Sequence, residues 1–340
     1  MLIPSSRLPI ALAAGFVTLV LLAAFSLALG AFPVAPRELA SVVWSVLSGG
    51  ASGVGDNTRA IVLEVRGPRI IAALVVGAAL GAAGAAYQNV FRNPLVSPDI
   101  LGVSSGCALG AVVGILAGLP TAAMQGLAFA GGLAAAGLVL AIGSLVRGHD
   151  RVLTLVLTGV VVGSLFSAGV AFAKAIADPY NQLPSITYWL LGSFGGVLRR
   201  DLAVAAPLML VALVPLALLR WRVNVLALPD DEARALGVDV AKTRLVVIAA
   251  ATLATSAAVA LAGVIGWVGL VVPHAARLLA GPSFARVLPL SALLGAAFLV
   301  VVDTMCRILV RGELPPGVVT AIVGTPVFIS LLAASTRRSP

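Results

Sequence analysis

The sequence predicts an all-α polytopic membrane protein, and three observations carry that prediction. Of its 340 residues 60% are hydrophobic and only 10% are charged, where an average soluble domain has about 25% charged residues. The mean hydropathy is +1.12. The charges fall between continuous apolar runs, each near the ~20 residues that a helix needs to cross the hydrocarbon core. A closed strand barrel would also satisfy its backbone in lipid, but it would alternate polar and apolar residues. These runs are unbroken and rich in Ala, Leu and Gly.

Ten segments follow in order: 8–30, 68–90, 98–117, 122–146, 152–173, 201–220, 243–263, 266–281, 286–306 and 317–335. The first could be read as a signal peptide, with Arg7 before it and Ala28-Leu29-Gly30 at its end. Its apolar run exceeds the ~7–15 residues of a signal, so a first spanning helix is expected. Pro273 in the short eighth segment predicts a kink or tilt there. Ten spans put both termini on one side. With that side cytoplasmic it carries thirteen of the 22 basic residues, Arg147, Arg337 and Arg338 among them; the other side carries nine, including Arg311. The bias has the direction expected of positive cytoplasmic loops. It also accounts for the +9 net charge without a nucleic-acid partner, because the basic residues are scattered and aromatics are few.

Glycine recurs every four positions at Gly102, Gly106, Gly110, Gly114 and Gly118, and again at Gly77/Gly81 and Gly159/Gly163. Small residues let helices approach closely in lipid; a smooth pathway wall is the alternative reading. Two connections have content. Residues 31–67 form a polar loop with a surface helix expected at 37–47. Residues 175–200 suggest a re-entrant or surface helix near Ile186–Gly192, where Tyr188 and Trp189 either anchor the interface or gate a vestibule.

Few groups offer chemistry. Asp303 lies in the ninth segment with Arg307 four residues on, so the two can pair along one helix face. Glu64 stands near Arg66, and Asp99 opens the third segment, where an acid suits a helix start. His149 and His274, with Cys107 and Cys306, form no metal-ligand spacing. No GxxxxGK[ST] loop exists to cradle phosphates, so no ATP site and no catalytic residue is expected here. One loop is built to meet another chain. In LALPDDEARALGVDV (226–240), Pro229 precedes Asp230, Asp231 and Glu232. Ala233 and Leu236 share a face across Arg234, and Gly237 ends the run. These signals mark a helix of about two turns, too short to be stable without packing on something.

Four stretches together carry a resemblance: RGPRIIAALVVGAALGAAG with FRNPLVSPDILGVSSG (66–84, 91–106), LALPDDEARALGV (226–238), GLVVPHAARL (269–278) and ELPPGVVTAIVGTPVFISLL (313–332). The chain resembles the permease family of binding-protein-dependent ABC importers for iron chelates, haem and cobalamin, the type II importers, over about residues 60–335.

The resemblance implies a single permease domain over 1–340 with ten spans, sitting multi-pass in a bacterial cytoplasmic membrane with both termini inside. It implies a homodimer with its pathway at the subunit interface. The partners would be two cytoplasmic ATPases, which bind the ATP and Mg, and a periplasmic or lipid-anchored substrate-binding protein. This chain would hold no cofactor. Arg66, Arg69 and Arg307 match arginines that meet acids on the binding protein, and 226–240 matches the helices that dock on the ATPase. Pro229 departs from the glycine more usual in the family, although proline suits a helix start. The turn at Asn93-Pro94, the glycines Gly102 and Gly106, and Pro273 are expected to be structural. Substrate stays open among ferric siderophore, haem, cobalamin and molybdate; an ion-coupled carrier using Asp303 is the reading of another class.

Overall fold

The computed structural model describes residues 4–30, 32–50, 53–146, 151–310 and 312–336. Arg147, His149, Arg311, Arg337 and Arg338 lie outside the described residues. Every regular element among those described is helical.

Helix α1 (Leu8–Ala28) is followed by α2 (Pro36–Ser48), the surface helix expected at 37–47. Then comes α3, one helix from Asp56 to Val90, 35 residues long. The sequence placed its start at residue 68, so the loop before it is shorter than expected. Arg59, Glu64, Arg66 and Pro68 read as a boundary, yet the chain passes through them by widening. Residues Ile61–Arg66 are π-helical, and the Gly67 amide donates to the Val62 carbonyl five residues back. Pro68 has no amide to give, and its ring would clash with the carbonyl four residues earlier in a plain α-helix. The wider π turn removes that clash.

After the turn at 91–97 and a single 3-10 turn at Pro98–Leu101 come α4 (Val103–Leu116), α5 (Thr121–Leu145) and α6 (Arg151–Ile176). Helix α7 (Gln182–Leu190) is the short helix expected in the 175–200 loop. It leads to α8 (Arg199–Leu218), α9 (Arg220–Val225) and α10 (Asp230–Ala235). The chain finishes with α11 (Val240–Ala262), α12 (Val268–Ala280), α13 (Phe284–Ile308) and α14 (Pro316–Thr336).

Each of the ten predicted segments is helical. Seven of the helices are long and apolar enough to cross a membrane; the helices at Val103–Leu116, Val268–Ala280 and Pro316–Leu331 are shorter apolar pieces. Length therefore supports seven spans directly.

Helices α3 and α11 are the core, mostly buried on all sides, while α1 and α6 are mostly exposed. Helix α3 packs on α13, α11 and α12, and α4 packs on α5. The contacts are backbone to backbone. A Cβ on Gly77 would overlap the Gly295 carbonyl, and one on Gly106 would overlap that of Gly131. The packing reading of the glycine stripe thus holds for Gly106 and Gly110, which face α5, and for Gly114 against Met124. Gly102 instead faces Gly163 and takes φ +68° to turn the 3-10 segment into α4.

Candidate functional site

Two clusters of arginine and carboxylate stand along α3, one well inside the helix at Arg66 and Arg69 and one just past its C-terminal end at Val90, with about 30 Å of helix between them.

The first gathers Arg66, Arg69 and Arg307 around Asp303. Asp303 is fully buried; its Oδ1 accepts from Arg69 Nε at 2.5 Å and its Oδ2 from Arg307 Nε at 3.0 Å. The i,i+4 pairing expected from the sequence is present, and Arg69, 234 residues away in the chain, completes it. Arg69 also pairs with Glu313. Arg66 has no carboxylate among its described partners. Its guanidinium donates to the carbonyls of Leu27 at 2.8 Å, Ala28 and Phe32. Arg307 adds Leu29 O at 2.5 Å and Ser26 Oγ at 2.7 Å. The carbonyls of Leu27, Ala28 and Leu29 lie at the end of α1 and have no onward helical donors, so the arginines close that helix and fasten it to α3 and α13.

The side chains of Arg69 and Arg307 are nearly buried, and Arg66 is 5% exposed. They form the floor of an open concavity of about 710 Å³, with Glu313 at its wall. Three guanidinium groups face two carboxylates, so the floor carries a net positive charge. Glu64, expected near Arg66, pairs instead with Arg199 at 3.0 Å, because residues two apart diverge around a helix.

The second cluster forms where α3 ends. The chain turns at Arg92, which takes φ +49°. The Asn93 Oδ1 accepts from the Leu95 amide at 2.9 Å, a side-chain-to-backbone turn that Pro94 sits inside. Arg92 Nη2 donates to Asp230 Oδ1 at 2.5 Å, and its Nε to the Leu226 carbonyl at 2.8 Å. Arg244, on α11, meets the same carboxylate at 3.1 Å.

Asp230 opens α10, with Pro229 as its N-cap residue. Burial alone would raise the Asp230 carboxyl, but hydrogen bonds and charge from Arg244 and Arg92 outweigh it and hold it below the usual carboxylate range. The helix closes on Gly237 at φ +79°. The Gly237 amide donates to Arg234 O and the Val238 amide to Ala233 O, a complete left-handed helix end. Ala233 is fully buried while Leu236, three residues on, is 53% exposed. Asp231, Glu232, Arg234 and Leu236 are all exposed, and Arg234 pairs with Asp231 at 2.7 Å on that surface.

Pro273 acts through its missing amide. The carbonyl four residues back, on Gly269, lacks a helical donor, and Gln88 Nε2 on α3 approaches it at 3.3 Å. Arg277 in turn donates to Gln88 Oε1. The His274 ring lies edge-on to Phe328. Among the described residues no three His, Cys, Asp or Glu side chains gather as a metal site.

The sequence missed Arg92 and Arg244 as site residues. A positive-φ arginine gives no sequence signal, and its contact with Asp230 spans 138 positions.

Comparison with known proteins places this architecture. The chain is 42% identical over 281 residues to the cobalamin import system permease protein of Halobacterium salinarum, covering 82% of this chain and 75% of that one. It is 36% identical to the molybdate import system permease protein of Haemophilus influenzae, covering 91% of each. A solved metal-chelate type ABC transporter in an inward-facing conformation superposes with a TM-score of 0.86 at 34% identity, over 96% of this chain and 99% of that one. The FecCD transport family matches residues 18–334, and the chain belongs to it as an ABC importer permease.

Proposed function

We propose that this permease carries an iron chelate, a ferric siderophore or haem, inward across a bacterial cytoplasmic membrane. Energy comes from ATP hydrolysis on two partner subunits, which bind the ATP and Mg; this chain holds no cofactor of its own. The full chain, 1–340, acts as one permease domain. Its ten helices span the membrane with both termini in the cytoplasm, the three shorter ones completing the seven, and two copies form the pathway between them.

One observation carries the reading: α3 joins a positive concavity at Arg66 and Arg69 to an exposed, acid-rich short helix at its foot. At the outer end, Arg66, Arg69 and Arg307 supply a field that steers acidic residues of a substrate-binding protein into register, which is what such charges do best. At the inner end, residues 226–240 present Asp231, Glu232, Arg234 and Leu236 to the ATPase. Both oxygens of Asp303 are held by arginines. That leaves no free buried carboxylate there for an ion-coupled carrier.

Cobalamin and molybdate are second readings, supported by the relatives that carry those names. Binding of each candidate to the cognate binding protein, followed by uptake, decides among them. Exchanging both Arg66 and Arg69 for Glu is expected to abolish uptake by the full transporter; uptake at the wild-type rate by a correctly folded double variant overturns the docking assignment.

A further inference from the structure

The inner cluster has a member, Arg92, that lies in the 91–106 stretch but has no role assigned there and is not on the exposed face of α10. Arg92 stands at the foot of α3 with a backbone conformation at φ +49°, which side chains other than glycine, asparagine and aspartate adopt rarely. Glycine would suit that position better. What glycine lacks is the side chain, and here the side chain makes two directed bonds: Nε to Leu226 O and Nη2 to Asp230 Oδ1. Leu226 begins the segment leading into α10, and Asp230 is its first residue. Arg92 thus grips both ends of the lead-in to that helix. Arg244 holds the same carboxylate from α11, so α3 and α11 meet at Asp230.

The geometry points to Arg92 as a positioning residue that fixes α10 to the foot of α3, so that a displacement of α10 is passed to the helix bearing Arg66 and Arg69. This rests on the reading of 226–240 as the ATPase-docking element. The joint suits a moving part. Its partners are one-third exposed, so the pair can part and reform against water instead of stranding a buried charge. Gln88, one turn earlier on α3, bonds α12 through Gly269 and Arg277, so the foot of α3 also carries α12.

The test uses the assembled transporter with its ATPase subunits and cognate binding protein, reading ATP hydrolysis with and without the binding protein. Arg92→Gly relaxes the backbone and removes the clamp. It is expected to unfold at the wild-type temperature or above, keep its ATPase subunits, and lose stimulation by the binding protein about fivefold or more, the scale of an ordinary coupling between sites. Arg92→Gln is expected to match it, and Arg92→Gln with Asp230→Asn to be no worse than either alone, as partners in one interaction behave. Wild-type stimulation in Arg92→Gly, or additive losses in the double variant, overturns the assignment. Leu236→Glu tests the underlying reading separately, because it is expected to release the ATPase subunits altogether. If those subunits stay bound to Leu236→Glu, the docking reading fails whatever Arg92 does.

Discussion

Two places along α3 use the same chemistry under different burial. At one, two arginines hold Asp303, whose side chain is fully buried. At the other, Arg92 and Arg244 hold Asp230, which is 33% exposed. A buried pair is hard to open, since removing one partner strands a charge in a medium of low dielectric. A pair that water can reach loses less on opening, and contributes correspondingly little to stability. The first cluster is therefore a fixture and the second an adjustable joint. The first cluster holds three ion pairs and the second two, and the solvent access of Arg92 and Asp230 decides which can move.

The largest effect that sharpens this contrast is at the buried end. Asp303→Ala leaves Arg69 and Arg307 without their shared carboxylate and is expected to destabilise the fold by about 3–5 kcal/mol, read as a lower unfolding temperature in detergent. A change no larger than that of Asp230→Ala would break the comparison.

Next is the joint itself. Asp230→Ala is expected to lower stability by less than Asp303→Ala, because Arg92 and Asp230 are one-third exposed and only Arg244, 6% exposed, is left without its carboxylate, while the coupling lost with Arg92 is lost here too. Acid gives the same contrast. The Asp230 carboxyl is held below its usual range, so its stabilisation is present above the unfolded value and is lost only as pH falls through the depressed one. Binding-protein stimulation of ATP hydrolysis, measured on the assembled transporter between pH 5 and pH 8, is expected to show no step from this carboxylate. A titration near pH 5 that disappears in Asp230→Asn would contradict it.

The smallest effect belongs to Arg199 and Glu64, both more than half exposed. Arg199→Ala is expected to change stability by about 0.5 kcal/mol at most, which sets the baseline for the other two.

Much of this was legible in the sequence, and the limits were physical. The apolar runs located all ten helices because burial and lipid exposure both demand continuous hydrophobicity. Asp303 with Arg307 was legible because helix geometry alone brings i and i+4 together. Arg69 was not legible as the second partner of Asp303, since only the packing of α3 on α13 joins them. The start of α3 was misplaced for a local reason. A run of charges before a proline normally ends a helix, and here a π-helical turn carried the chain through it. Leu236 is exposed while Ala233 is buried, a difference in depth that spacing along a helix does not give. The Asn93-Pro94 turn was readable, while its reach to Asp230 was not.

The glycine contacts between α3 and α13 have one more consequence. Where Gly77 lies against the carbonyl of Gly295, no side chain stands between the two backbones that could change rotamer or yield. An interface of that kind cannot be repacked into a second arrangement; it can only be carried along intact. Helices α3 and α13 are therefore expected to move together if either moves. Any opening of a pathway has to occur at the borders of that pair, against helices such as α6 that keep most of their surface free.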